Sequence, residues 1–152
     1  MSDRDPRQTL AAAEAIASIA HRGQVDKAGM PYIEHPRRVA NSIERRSDDD
    51  LDTVSVAWLH DVIEDTDITR DDLHAAGIPW SVIEDVELLT RHDGRAPEEY
   101  YAAIKKSPRA LAVKLADIAD NTSPARVAQL DEATAERLRE KYAKARRLLG
   151  AV

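Results

Sequence analysis

Apolar residues recur every three or four positions along most of the chain, the spacing that places them on one face of an α-helix. In the first such segment, Leu10, Ala13, Ile16, Ala17 and Ala20 fall on a single stripe. No segment alternates apolar and polar residues in the way a half-buried strand does. The pattern therefore predicts an all-α fold with short loops. The predicted helices cover residues 7–22, 35–46, 49–66, 69–77, 79–91, 96–106, 108–121 and 131–149.

Residues with strong preferences for helix ends mark two of these boundaries. Proline favours the first position of a helix, and the residue before proline avoids helical angles, so His35 is predicted as an N-cap with Pro36 directly inside the helix. Thr69 is predicted to cap the short fourth helix, with Asp72 three residues later. Gly77 is then the residue that ends this helix.

Length and charge limit the kinds of partner. With 152 residues, the chain has room for one domain with a hydrophobic core, and we expect a compact single domain over 1–152. The net charge is −6, the opposite of what a nucleic-acid surface normally carries. The polar N-terminus resembles no signal peptide, and no apolar run approaches membrane length. These features predict a cytoplasmic protein without nucleic-acid or membrane partners, and they leave its oligomeric state open.

The chain contains no cysteine, which restricts the chemistry available to it. Disulfides, thiolate metal sites and cysteine nucleophiles are all excluded. Any bound metal ion must therefore be held by imidazole nitrogens and carboxylate oxygens.

The segment AWLHDVIEDT, residues 57–66, places an adjacent His60 and Asp61 between two apolar residues. Such a pair is either buried for structural reasons or binds something. Together with His35 and Asp117, it offers the nitrogen and oxygen ligands that a divalent metal ion needs. The positive end of the second helix should lower the pKa of His35 and favour the neutral, metal-binding imidazole.

Four motifs occur in order along the chain: HRGQ at 21–24, PYIEHP at 31–36, HDVIEDT at 60–66 and KLADIADN at 114–121. Together they resemble the HD-domain metal-dependent phosphohydrolases. The likeness is closest to the alarmone hydrolases, namely the hydrolase half of the Rel/SpoT proteins and their small stand-alone relatives. The motif core covers about residues 11–122, and the final helix, about 131–149, follows it.

This resemblance implies an HD-type helical bundle, a divalent cofactor that is usually Mn²⁺, and release of pyrophosphate from the 3′ side of ppGpp or pppGpp. It implies that Glu64 and Asp65 position and deprotonate the attacking water. Their spacing fits, because each lies four residues after a member of the His60–Asp61 pair. The implied metal ligands are His35, His60, Asp61 and Asp117. The implied contacts to the anionic nucleotide are Arg22, Lys27, Tyr32 and Asn121.

The chain departs from the alarmone hydrolases at several positions. Asp26 stands where they usually have an arginine that stacks on the base, and Ala28 replaces a serine. Ile118 and Asp120 replace an arginine and a histidine. No synthetase region follows, which predicts a stand-alone hydrolase. Two alternatives therefore stay open: an HD phosphohydrolase acting on another nucleotide or phosphorylated metabolite, and a non-catalytic module that binds a nucleotide or metal.

Overall fold

The computed structural model describes residues 4–151, and ten α-helices account for most of them. Within this range the only extended pairing is a single bridge between Val25 and Pro31, so the all-α prediction is confirmed. The ends of the predicted domain, residues 1–3 and 152, lie outside the described residues. The helices are α1 (Pro6–Ala20), α2 (Glu34–Ser42), α3 (Asp48–Leu59), α4 (Val62–Asp65), α5 (Arg70–Ala75), α6 (Trp80–Leu89), α7 (Pro97–Lys105), α8 (Pro108–Asn121), α9 (Pro124–Val127) and α10 (Glu132–Leu149).

Helix α3 is the centre of the molecule. It packs against α1, α2, α6 and α8, and seven consecutive residues from Thr53 to Leu59 are buried. Because other helices surround this stretch of α3, it is buried on all sides. On α1, Ala13 and Ala17 are fully buried, and their small side chains allow this helix to approach α3 closely. The C-terminal end of α3 consequently points His60 into the interior.

The third predicted helix, 49–66, is interrupted, which corrects the prediction of one continuous element. α3 ends at Leu59, and α4 begins at Val62. The Nδ1–H group of His60 donates a hydrogen bond to the carbonyl oxygen of Ala57 at 2.6 Å. That carbonyl would otherwise accept from the backbone amide of Asp61 in a continuous helix. The side chain thus competes with the backbone at this point, and the chain turns between the two helices.

The second predicted helix begins earlier and ends earlier than expected. Ile33 rather than His35 is its N-cap, and the helix stops at Ser42 instead of residue 46. The amide of His35 already bonds the carbonyl of Tyr32 at 3.0 Å. Pro36 is tolerated here because amide groups in the first turn have no partner within the helix in any case. His35 therefore lies within the first turn of α2.

Helix α5 has the predicted cap, while the C-terminal part contains an unpredicted helix. Thr69 and Asp72 form a reciprocal capping box, and Gly77 follows the helix end with a φ of +96°, as predicted. The short α9 was not predicted from the sequence. α10 packs against α7 and α8.

Among residues 4–151, no helix combines the length and the apolar character needed to cross a bilayer.

Candidate metal centre and the adjoining cavity

The two histidines and two aspartates singled out in the sequence meet at one point. His35 Nε2 lies 2.8 Å from Asp117 Oδ1 and 3.9 Å from Asp61 Oδ2. His60 Nε2 lies 3.1 Å from Asp61 Oδ2 and 3.5 Å from Asp117 Oδ1. His35 comes from α2, the His60–Asp61 pair from the turn between α3 and α4, and Asp117 from α8. The fold therefore brings together four side chains from three places in the sequence.

Two of these four distances, 3.1 Å and 3.5 Å, match those expected around a shared divalent ion, and the other two, 2.8 Å and 3.9 Å, lie slightly to either side. Nitrogen and oxygen ligands about 2.1 Å from one ion stand about 3.0–3.5 Å apart in octahedral or tetrahedral arrangements. The hydrogen bonds on the far side of each ring also fit. Because Nδ1–H of His60 donates to a carbonyl, its Nε2 presents a lone pair to the aspartates, and it is buried without a hydrogen-bond partner among the described residues. A nitrogen lone pair that faces carboxylates is repelled by them unless a proton or a metal cation lies between them.

The pKa values of His35 and His60 also reflect the negative charge of the surrounding carboxylates. Burial lowers the pKa of His35, but hydrogen bonds to Asp117 and Asp120 outweigh burial and raise it above the ordinary value. For His60, burial is again outweighed, here by Asp61 and Asp117, and its pKa is raised. The prediction that the helix end lowers the pKa of His35 is therefore wrong, because neighbouring carboxylates dominate. A divalent cation would satisfy the same carboxylates and leave both rings neutral.

A second layer of side chains holds the aspartates. The hydroxyl of Tyr32 donates to Asp61 Oδ2. Asn121 Nδ2 donates to Asp117 Oδ1 at 3.0 Å, and the ammonium group of Lys114 lies 3.0 Å from Asp117 Oδ2. Burial opposes ionisation of Asp117, but its hydrogen bonds to the histidines and the charge of Lys114 hold its pKa well below the usual range. Asp117 is thus ionised and fixed in orientation.

Glu64 and Asp65 lie on α4, next to this cluster. Glu64 accepts a hydrogen bond from the backbone amide of Arg91 at 2.6 Å, which fixes its carboxylate. The Asp65 side chain is exposed but lies beside Asp61 and Glu64, and partial desolvation by the surrounding protein together with these two negative charges raises its pKa to about 6. A carboxyl group with a pKa near neutrality is suited to accepting a proton at physiological pH.

The cluster opens into a cavity of about 230 Å³ that both acids line. Three cationic side chains, Arg91, Lys114 and Lys141, also line it, although the protein as a whole is acidic. A neighbouring cavity of about 170 Å³ shares three wall residues with it, Asn121, Lys141 and Tyr142. An acidic cluster at one end and cations along the walls can accommodate a cation and a polyphosphate together.

The residues predicted to contact a nucleotide take different places. Tyr32 and Asn121 line the cavity beside the histidines, and Lys27 lines the neighbouring one. Arg22 lies exposed in the turn after α1, outside the walls of both cavities as formed by the described residues. Ile118 is fully buried in the core, so the lost arginine at this position changes packing and not the cavity wall.

Sequence reasoning missed three residues near the site. Arg91 and Lys141 reach the cavity from the end of α6 and from α10, and nothing in their local sequence marks them. The sequence marked Asp120 only as a difference from the alarmone hydrolases, yet its carboxylate accepts a hydrogen bond from His35. Its spacing three residues after Asp117, one helical turn on, was the available signal.

No protein-family model matches the chain. Among curated proteins, a guanosine-3′,5′-bis(diphosphate) 3′-pyrophosphohydrolase of Vibrio cholerae is 35% identical over 125 residues, which is 75% of this chain and 17% of that protein. The bifunctional (p)ppGpp synthase/hydrolase SpoT of Escherichia coli is 36% identical over 128 residues, or 77% and 18%. The chain is a homologue of the SpoT/Rel ppGpp hydrolase domain.

This SpoT/Rel homologue spans less than a fifth of the length of those relatives. Another relative, a probable GTP pyrophosphokinase of Mycobacterium leprae, is 30% identical over 112 residues, covering 67% of the chain and 14% of that protein. A solved structure, that of a metazoan ortholog of SpoT that hydrolyses ppGpp, covers 100% of this chain and 99% of its own with a TM-score of 0.58. At 23% identity it establishes the fold.

Proposed function

We propose that this chain is a metal-dependent phosphohydrolase that removes pyrophosphate from the 3′ side of guanosine 3′,5′-bis(diphosphate). The observation that carries the proposal is the meeting of two imidazoles and two aspartates beside an acid pair, along a cavity with cationic walls. Homology to a hydrolase of this compound supports it as the proposed substrate.

We propose His35, His60, Asp61 and Asp117 as the ligands of one divalent ion. Imidazole and carboxylate groups without sulfur suit several such ions, Mn²⁺ among them, and we propose Mn²⁺ from the family resemblance. When bound, the ion would polarise a phosphoryl oxygen and make a nearby water more acidic.

Glu64 and Asp65 are the proposed catalytic residues. Water attacks the phosphorus atom bonded to the 3′ oxygen of the nucleoside, and the bond between that phosphorus and the 3′ oxygen breaks. The pyrophosphoryl group is released with the oxygen of water as pyrophosphate, and the departing 3′ oxygen takes up a proton to become the 3′-hydroxyl of GDP. Asp65 accepts the proton of the attacking water, and Glu64, held by the amide of Arg91, orients that water. Both roles require the acids to be ionised when the substrate binds.

Binding of the anionic substrate is assigned to the cavity walls. Arg91, Lys114 and Lys141 face the phosphates and offset their charge. Lys114 is salt-bridged to Asp117. Burial opposes its charge, but Asp117, Tyr100 and Tyr101 raise its pKa, so it remains an ammonium group. The nucleotide contacts proposed from the sequence are Tyr32, Asn121 and Lys27 on the walls, and Arg22 on the exposed turn.

A second candidate is an HD phosphohydrolase with another nucleotide or phosphorylated metabolite as substrate. Asp26 favours it, since this carboxylate lines the neighbouring cavity where the related hydrolases usually carry an arginine. A non-catalytic binding module is a third reading, and the complete set of ligands and acids weighs against it. We propose a cytoplasmic location and a single domain over 1–152, with a small anionic nucleotide as its partner.

The test is a hydrolysis assay with purified protein loaded with Mn²⁺. We expect release of pyrophosphate from ppGpp, loss of that release with a chelator, and its return when Mn²⁺ is restored. His60→Ala is expected to be inactive at every Mn²⁺ concentration, and it controls for contaminating phosphatases.

The competing readings give different results in the same assay. Turnover of adenosine polyphosphates or other phosphate esters without turnover of ppGpp would favour the second candidate. Binding of Mn²⁺ and nucleotide without any turnover would favour the non-catalytic module.

A further inference from the structure

Asp120 lies directly behind one of the proposed metal ligands. Its Oδ2 atom accepts a hydrogen bond from His35 Nδ1 at 2.6 Å, on the side of the ring away from Asp117. Arg126 Nη1 lies 3.2 Å from the same nitrogen, but a carboxylate at 2.6 Å can only accept, so the proton on Nδ1 points to Asp120. The Nε2 atom of His35 is thereby left to face the cluster, where it would offer its lone pair to a bound divalent ion.

Two arginines hold Asp120 in place. Arg38 on α2 donates from Nε to Asp120 Oδ1 at 2.7 Å, and Arg126 on α9 donates to Asp120 Oδ2 at 2.9 Å. The Asp120 side chain is only 11% exposed. Both guanidinium groups lie within hydrogen-bond distance of its carboxylate and stabilise its negative charge. The group behind His35 is therefore a fixed, ionised carboxylate.

Arg126 reaches a second ligand in the same way. It donates to Asn121 Oδ1 at 2.7 Å, and Asn121 donates to Asp117 Oδ1 at 3.0 Å. It also lies 3.6 Å from Asp26, in the loop that lines the neighbouring cavity. One guanidinium thus orients the partners of His35 and Asp117, so the unpredicted helix α9 is tied to the metal centre.

We propose that Asp120 is a positioning residue for the metal centre, and that Arg126 and Arg38 fix it there. The inference deepens the proposed function, since it rests on a divalent ion bound by His35. A carboxylate on the far nitrogen of a ligating histidine fixes ring orientation and strengthens the ring as a ligand, and its loss typically lowers metal affinity 10–100-fold.

The test measures Mn²⁺ binding by calorimetry on the full chain, with thermal unfolding used to verify that each variant is folded. Asp120→Asn keeps the shape of the side chain and removes its charge. It is expected to weaken Mn²⁺ binding about 10-fold or more. Arg126→Gln provides a second variant, expected to act in the same direction by a smaller factor.

Asp85→Asn is the matched control. Asp85 is also a largely buried carboxylate, 9% exposed, and it is paired with an arginine, but it lies between α6 and α8 and has no contact with the ligands. We expect the Asp85→Asn variant to bind Mn²⁺ with the same affinity as the unsubstituted protein. A purely structural role of Asp120 would make both variants lose affinity equally, and that result would overturn the proposal.

Two further outcomes separate this inference from the proposed substrate. Unchanged Mn²⁺ affinity in folded Asp120→Asn would overturn the role of Asp120 while leaving the hydrolase proposal standing. Weakened affinity in that variant, together with an unsubstituted protein that binds Mn²⁺ but does not hydrolyse ppGpp, would support the role of Asp120 and overturn only the substrate.

Discussion

The pKa of Asp65 depends on its position in the fold. Partial desolvation and the charges of Asp61 and Glu64 raise it to about 6. The hydrogen bond that Gln24 donates to the backbone carbonyl of Asp65, at 3.2 Å, connects α4 to the loop after α1. A carboxyl group with a raised pKa is protonated at higher pH than usual, and a protonated carboxyl cannot accept a proton from water.

The activity should therefore fall as the pH is lowered through about 6, the pKa of Asp65. A bound divalent cation stabilises the ionised carboxylate of Asp65 and so lowers its pKa. The metal-loaded enzyme is therefore expected to lose activity at a pH of about 6 or lower. The pH dependence of kcat/KM between pH 4.5 and 8 measures it.

In Asp65→Asn we expect kcat/KM to fall about 10²–10⁴-fold and the residual activity to lack this acidic limb, while Mn²⁺ affinity is retained. An unchanged pH profile in this variant would assign the base to another residue.

At the scale of helices, an ion-pair cluster joins α6, α8 and the N-terminal end of α3, the end opposite His60. Asp85 on α6 accepts from Ser107 Oγ at 2.6 Å and from Arg109 Nε at 2.8 Å, and Arg109 also lies 3.2 Å from Asp49 on α3. Because α3, α6 and α8 pack against one another, this cluster should stabilise their packing.

Asp85→Asn is expected to lower the free energy of unfolding by about 1–3 kcal/mol, because it weakens two hydrogen bonds of a buried carboxylate, one of them to a charged group. Urea denaturation followed by circular dichroism measures the change. The exposed pair of Glu136 and Arg139 supplies the comparison, since Glu136→Gln should alter stability by less than about 0.5 kcal/mol. Equal effects in the two variants would contradict the assignment of Asp85 as a packing residue.

The helices also show where local pattern fails. Periodicity located α1, α5, α6, α7, α8 and α10 to within a few residues. It missed the break at His60, because the competing hydrogen bond comes from a side chain that periodicity does not weigh. It missed α9, since a single turn begun by Pro124 carries too few residues to show a period.

For the whole molecule, the proposed metal ligands come from α2, from the turn between α3 and α4 and from α8, so metal binding and folding should be coupled. A ligand that binds only the folded state stabilises it in proportion to the logarithm of its concentration over Kd. Free Mn²⁺ at a hundred times its Kd should stabilise the protein by about 2.7 kcal/mol and raise Tm by roughly 5–10 °C.

Differential scanning calorimetry of the chelated and Mn²⁺-loaded protein measures this shift. His60→Ala should show no comparable rise. An equal rise in that variant would mean that the ion binds elsewhere, and the assignment of the ligands would have to be abandoned.

Much about this protein follows from its sequence alone. Helical periodicity determined the all-α fold, and the absence of cysteine limited any metal site to imidazole and carboxylate. Four ordered motifs pointed to the SpoT/Rel hydrolases, and homology confirms that relationship. These properties are carried by residue type and local spacing, both of which are visible along a single chain.

Tertiary structure alone decided how the site is assembled. His35 and Asp120 are separated by 85 positions, yet His35 Nδ1 lies 2.6 Å from Asp120 Oδ2. Arg91, just after α6, and Lys141, on α10, line the same cavity although neither belongs to a motif. The pKa of His35 is raised, contrary to the expectation, because carboxylates from α8 outweigh the effect of burial. Electrostatic energy depends on distance through space, and sequence separation does not report that distance.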